Sequence, residues 1–392
     1  MTQRRIPLPL LTVSLLAVLV PGLVQAATPG ATPAATLLLP YFEVDLREGF
    51  DRQTTLFSVN NAAPDPLIAH VVLWTDWGIP TYSFDLVLAG DDVLTVNLRD
   101  LFWFGDVPAT DGSAVSGCGD PVVVPPLDAD ALAALRARHT GRPDPEDGDC
   151  YGSGRQGEEV AVGYVTVDVA TRCVGGSTYF PGDDGYFSPA GNFLLPRFVG
   201  DQNALWGDVF YVAAGDDSAQ GTELVHVPFD PEAGEGETFY RLWAPDGEDG
   251  RALLGSLYRG RFLEGGPFDA GADLLVWVES GQKAEPGSCE SRNLDQCQGI
   301  RFRLFDEDGE EVATSHREAS HLAFRLPVGG AELPTPVQFG FFELHNSRVE
   351  ACELPNVFDI RQLQAWVTTV MKAQGRFSLG VAATRIPVPG EP

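Results

Sequence analysis

Two stretches of the chain, Thr54 to Asp100 and Leu274 to Val328, carry the same order of β-rich runs and turn signals. A chain that repeats such an order has to build one pleated plan twice. In the first stretch Thr54-Thr55-Leu56-Phe57-Ser58-Val59 ends at the turn formers Asn60-Asn61-Ala62-Ala63-Pro64-Asp65-Pro66. Ala69 to Leu73 follows, then the turn Thr75-Asp76-Trp77-Gly78, then strands at Thr81 to Leu88 and Val93 to Leu98. Leu94, Val96 and Leu98 alternate with Thr95, Asn97 and Arg99, the period of a half-buried strand. In the second stretch Leu274 to Val278 opens the unit. Ile300, Phe302 and Leu304 alternate with Arg301 and Arg303, and Asp306-Glu307-Asp308-Gly309 stands where Thr75 to Gly78 stood. Leu73, Trp74 and Gly78 match Leu304, Phe305 and Gly309 at one offset. Phe324, Leu326 and Val328 echo Leu94, Val96 and Leu98 one residue out of step, a slip the preceding loop has to absorb if the strand is to keep its faces.

The echo runs on, since Val160 to Val167 resembles Val337 to Leu344 and each is followed by a cysteine, Cys173 and Cys352. A period this long points to two similar domains rather than a solenoid. The order strand, Asn/Pro loop, strand, Asp-x-x-Gly turn, strand, strand resembles the immunoglobulin-like sandwich modules of bacterial exported proteins. That resemblance implies a shared fold and no particular activity. The Cys…Trp…Cys spacing of antibody domains is absent. The expected architecture is mainly β: two immunoglobulin-like β-sandwich domains with a loop-rich, partly helical insertion.

Met1 to Ala26 has Arg4 and Arg5, an apolar core from Leu8 to Val20, and small residues at Val24-Gln25-Ala26. It reads as a secretory signal peptide, so the mature chain is expected in the periplasm or outside the cell, with no transmembrane segment. Domain 1 is then 27–232, with an insertion at about 106–157, and domain 2 is 233–392, the break falling in the acidic, Gly-rich run after Asp230. The formal net charge of −29 becomes more negative once Arg4 and Arg5 leave with the leader. Such a surface repels nucleic acid and suits cations or basic partners.

Within the insertion one helix is expected from Asp128 to His139, with Asp128 as its cap, Arg136, Arg138 and His139 at its negative end, and Gly141 as its stop. Gly215 to Gly221 reads as a connection, Phe239 to Trp243 as a strand, and Leu363 to Met371 as half of a terminal hairpin. Six cysteines in an exported chain suggest disulfides, with about 15 pairings open to them. Short-loop closure favours Cys118 with Cys150 and Cys289 with Cys297. Cys173 and Cys352 are then left either to bridge the domains or to stand as buried thiols.

No Gly-x-Ser-x-Gly elbow, His-Glu-x-x-His helix, phosphate loop or dinucleotide glycine pattern occurs, and no cofactor is expected beyond calcium. Asp144, Glu146, Asp147 and Asp149 form the best calcium candidate, although acidic Asp-Gly runs are also what tight turns use. Trp77, at a turn where the other copy has Asp308, and Trp103, between Phe102 and Phe104, are the ligand-binding candidates for a glycan or a protein. The bland alternative is that both rings pack internally. The expected role is non-enzymatic: binding, adhesion or envelope structure. The alternative is an extracellular hydrolase acting on polysaccharide or another polymer at the domain junction, which needs two carboxylates about 5–9 Å apart.

Overall fold

The structure, a computed structural model, describes residues 32–49, 52–119, 122, 126–154, 159–174, 178–189, 196–213, 218–234, 236–244, 246–266, 268, 271–290, 294–295, 297–318, 320–348, 362–373 and 377–388. The signal-peptide reading and Cys352 lie outside them. Among the described residues there are nineteen strands and two helices. The first group of strands is β1 (Thr36–Asp45), β2 (Gln53–Asn61), β3 (Leu67–Trp74), β4 (Pro80–Leu88), β5 (Val93–Asn97) and β6 (Val160–Ala170). It continues with β7 (Leu205–Trp206), β8 (Asp208–Ala213), β9 (Ser218–Glu223) and β10 (Val225–Val227). The second group is β11 (Leu257–Leu263), β12 (Ala272–Val278), β13 (Gln298–Phe305), β14 (Glu311–Arg317) and β15 (Ala323–Pro327), then β16 (Phe339–Arg348), β17 (Ala365–Ala373), β18 (Phe377–Ala382) and β19 (Thr384–Arg385).

These strands form two β-sandwiches of the same design. One sheet of the first runs β4-β3-β6-β1-β10, and one sheet of the second runs β14-β13-β16-β11-β19. The partner sheets run β5-β2-β8-β9, with β7 also on β2, and β15-β12-β17-β18. Every pairing is antiparallel, and the register repeats too. Leu73 stands opposite Val165 and Tyr82, and Leu304 stands opposite Phe342 and Ala313. A bulge follows each, between Leu73 and Trp74 and between Leu304 and Phe305. The duplication read from the sequence is therefore a duplication of topology and register.

The two copies differ in what covers them. In β13 Ile300, Phe302 and Leu304 are buried while Arg301 and Arg303 point away from the core, as a sheet with one wet face requires. Its counterpart β3 is buried along its whole length, as are β1 and β6. One face of that sheet, with Leu37, Leu39, Val71, Leu73, Val165 and Val167, meets the partner sheet in the first core. The other face, with Leu38, Ile68, Val72, Trp74, Val162 and Tyr164, belongs to a second core that continues into the other sandwich.

The insertion contains helix α2 (Ala129–Thr140), with Asp128 accepting from the Ala131 amide at 2.9 Å and Gly141 closing the end at φ 70°. His139 does not sit at the helix end as an exposed cation. It is fully buried against Phe42 and Phe102 and hydrogen-bonds the Val162 carbonyl and the Thr81 hydroxyl. Desolvation, joined by the nearby Arg138 charge, pushes its pKa down to about 4 against the pull of the Val162 hydrogen bond, so the ring is neutral. A second helix, α1 (Leu98–Phe104), replaces the end of the strand expected through Leu98. Asn97 caps it by accepting from the Arg99 amide, turning the chain before the alternation can finish. β9 occupies part of the expected Gly215 to Gly221 connection, and Phe239 to Trp243 forms turns, not a strand. The terminal hairpin is present as β17 and β18.

The cysteine pairing differs from the short-loop reading. Cys118 bonds Cys173, and Cys150 bonds Cys289. Cys297 is disulfide-bonded as well, to a partner outside the described residues. The insertion does not close on itself. Cys118 staples it to the segment after β6. Cys150 staples it to the second sandwich, where its backbone also exchanges two hydrogen bonds with Gly287, at 2.7 and 3.1 Å. Spatial neighbours, 5.2 and 5.0 Å apart at Cα, win over sequence neighbours.

Candidate functional site

The Thr75-Asp76-Trp77-Gly78 turn is where the first sandwich, the insertion and the second sandwich meet. Its counterpart, Asp306 to Gly309, is an exposed hairpin turn. The Asp76 carbonyl accepts from the Leu322 amide at 2.6 Å, and its carboxyl takes the Ser153 amide at 2.9 Å and the Ser153 hydroxyl at 2.5 Å. Gly78 has φ 78°, and a Cβ there would come within 2.7 Å of Leu322 and 3.4 Å of the Tyr164 hydroxyl. A side chain there would have to push the tip of Leu322 aside and would be strained by the left-handed backbone.

Trp77 is not an exposed ring at a hairpin tip. It is 1 % exposed and packs with Ile79, Ala284 and the Cys150–Cys289 pair. Burial follows from the Cys150–Cys289 bond, which draws the insertion and the 280–289 segment over it. Trp103 is half-buried on α1, under the Arg99 guanidinium, with its ring nitrogen toward the Asp45 carbonyl at 3.5 Å. It does not neighbour Trp77 in the pocket described next.

Beside Trp77 opens a pocket of about 50 Å³, room for a few waters or one compact group. Aromatic rings touch one another around it in an unbroken series. Trp243 meets Trp74 edge-on at 5.4 Å, Trp74 stacks on Tyr164 at 5.5 Å, and Tyr164 meets Trp277 at 6.1 Å. Trp277 stacks on Phe239 at 5.5 Å, and Phe239 meets Tyr240 at 4.8 Å. Trp74 and Tyr164 stand on the outer face of the doubly covered sheet, and Trp277 is next to last in β12. The loop carrying Phe239, Tyr240 and Trp243 is tied down by a buried polar cluster. Asp168, fully buried, accepts from the Tyr240 and Tyr186 hydroxyls at 2.9 Å each and from Thr36. Thr36 in turn accepts from the buried Arg251 at 3.0 Å. Burial, reinforced by the Asp168 charge, holds both tyrosine hydroxyls well above their ordinary pKa.

Glu279 is the one carboxylate among the described lining residues, and it is already engaged. Arg241 grips it in a fork, Nε to Oε1 at 2.8 Å and Nη2 to Oε2 at 2.5 Å, and the Gln364 amide donates to it at 2.9 Å. At the mouth the Lys283 ammonium lies 4.2 Å from the centre of the Trp243 ring.

Two other groupings of polar side chains are engaged with their own neighbours. Asp144 is buried and held by Arg138, whose Nη2 also reaches Glu146 at 3.7 Å. Asp147 accepts from the Asp149 amide and the Tyr151 hydroxyl, so these acids organise their own loop. Among the described residues no three metal-ligating side chains converge. His321 takes Ser320 and Arg317 on one ring nitrogen at 2.8 and 3.3 Å, but its other nitrogen stands 3.9 Å from Asp76, beyond hydrogen-bond reach. With Asp76 held by Ser153, that grouping is not a relay.

Desolvation pushes the Asp76 carboxyl from 3.8 up to about 7, against the Ser153 hydrogen bonds that favour its charge. The folded state therefore binds this proton more tightly than the unfolded chain. That contribution to stability is complete below about pH 3.8 and lost as pH rises through about 7. Relative to the parent, Asp76→Asn should gain stability as pH rises from about 4 to about 7, by roughly 4 kcal/mol at most. Urea midpoints of both proteins across that range check it. A difference that stays constant with pH would show Asp76 already ionised in the fold.

Sequence reasoning found the turn but missed the pocket. The signal available was the density of rings in Phe239-Tyr240-Arg241-Leu242-Trp243, together with Trp74 and Trp277 at strand ends. Among the described residues no helix is long and apolar enough to cross a membrane. No family model matches the chain, and no curated protein matches it. Among solved structures it is similar to an FMN-binding beta-glucuronidase from Facaelibacterium prausnitzii L2-6, at 11% identity and a TM-score of 0.13 over 91% of this chain. The chain spans about a third of that enzyme's chain, 33%, and a likeness this slight bears on neither fold nor activity.

Proposed function

We propose that this is an exported, non-enzymatic binding protein of two immunoglobulin-like domains, 27–232 and 233–392 behind the leader, whose ligand enters the aromatic pocket between them. The observation that carries this reading is the series of touching rings around a cavity whose one described carboxylate is spent on Arg241. Ring faces bind by dispersion, stacking and cation–π attraction, none of which needs a reacting group. Hydrolysis would need two acids about 5–9 Å apart, and the described lining supplies one. The disulfides and the acidic surface fit an exported protein that does not bind nucleic acid.

The test is a thermal-shift and tryptophan-fluorescence screen of the full mature chain against sugars, organic amines and small aromatics. A true ligand at about a hundred times its Kd stabilises by about 2.7 kcal/mol. Trp243→Leu should remove that response while leaving the fold intact by circular dichroism. If the whole screen gives no response, or if Trp243→Leu binds like the parent, the pocket is not the site.

A further inference from the structure

We propose that the pocket is a seat for a methylated, permanently charged ammonium group, and that Lys283 is a built-in plug which such a ligand displaces. This rests on the binding reading above and names its ligand class.

The protein itself displays the interaction. The Lys283 ammonium lies over the Trp243 face at 4.2 Å, the placement that a ring quadrupole favours for a cation. Lys283 is one of only two lysines in the chain, the other being Lys372, which pairs with Asp273. Lys283 is at the mouth and is itself exposed, so its side chain can swing away without unmaking the core. Its ammonium is partly desolvated there, which lowers its pKa despite the neighbouring Glu285 charge. A primary ammonium wants hydrogen-bond acceptors as well as a ring. The one carboxylate among the described lining residues, Glu279, has its oxygens taken by Arg241 and Gln364. An ammonium wrapped in methyl groups has no such demand. It presents charge to Trp243 and apolar surface to Trp74, Tyr164 and Trp277. The net charge of −29 draws cations toward the mouth and disfavours anionic competitors. The small volume suits one compact headgroup better than a run of sugar rings.

A plug that spends most of its time seated cuts the apparent affinity to the fraction of time the pocket stands open. Removing it therefore tightens binding, the reverse of what a lysine that contacts the ligand would do. The experiment compares choline with neohexyl alcohol, its uncharged carbon isostere, by calorimetry on the mature chain at fixed ionic strength. Choline should bind at least about tenfold more tightly than the isostere, and Lys283→Gln should tighten choline about three- to tenfold. Equal binding of the two compounds would leave a merely apolar pocket and overturn the proposal. So would weaker choline binding by Lys283→Gln. If choline fails while a neutral sugar or aromatic shifts Trp emission, the ammonium class falls and the binding reading survives. If nothing binds, both fall. Sedimentation with phosphatidylcholine vesicles, against phosphatidylglycerol, separates a lipid headgroup from a free solute as the source of the same chemistry.

Discussion

Arg241→Leu should lower the unfolding free energy by about 3–5 kcal/mol. Arg241 and Glu279 are 6 % and 5 % exposed at their side chains, so removing the guanidinium leaves a carboxylate buried without its counter-ion. The loss spreads beyond the pair. Arg241 also donates to the Gln362 carbonyl at 2.8 Å, and Glu279 orients the Gln364 amide, whose side chain bonds the Phe239 carbonyl at 3.1 Å. Both ends of the pocket wall are thus hung on this one fork. The double variant Arg241→Leu with Glu279→Leu removes both charges and should recover most of the loss, since a buried pair replaced by apolar groups is often neutral. Urea or guanidinium midpoints measure both. A single variant as stable as the parent would mean that water reaches Glu279.

Cys150→Ser with Cys289→Ser has an effect of similar size. The bond closes a loop of 139 residues, and loop-closure entropy alone assigns it about 5 kcal/mol, the upper end of measured disulfide contributions. Removing Cys118 and Cys173, 55 residues apart, should cost about 4 kcal/mol on the same basis. The two differ in a second respect. The Cys150 pair underlies Trp77 and holds the segment that carries Ala284 and Lys283, so its loss should also weaken any ligand response in the pocket. The Cys118 pair should leave that response in place. Denaturation midpoints with parallel ligand titrations separate the outcomes. Equal stability of the Cys150 variant and the parent would contradict the bond, as would non-reduced peptides joining Cys118 to Cys150.

The repeat was legible because strand order and register leave period-two patterns, and Leu73 and Leu304 lie at matching places in matching strands. The helix at Asp128 was legible because its cap and stop are local chemistry. What could not be read was which faces would be covered. Val71-Val72-Leu73-Trp74 is a continuous apolar run because both faces of its sheet are buried, and such a run does not say what covers the second face. Trp77 illustrates the cost. A tryptophan in a turn looks like an exposed ring until a remote disulfide draws a wall across it. The pocket rings come from four separate parts of the chain, so no local spacing announces them. The disulfide pairing was hidden for the same reason, because loop length ranks partners only when the fold has not already placed them.

The doubly covered sheet turns two repeats into obligate mates. Leu38, Ile68, Val72 and Val162 lie on its outer face, in one core with Tyr186 and Phe198 of the first copy and with Val276 and Phe324 of the second. The second copy, with its arginines outward on β13, has a hydrated side that the first lacks. Modules strung like beads can fold and fail one at a time. These two share a seam, so a lesion in either one should bring down the pair together.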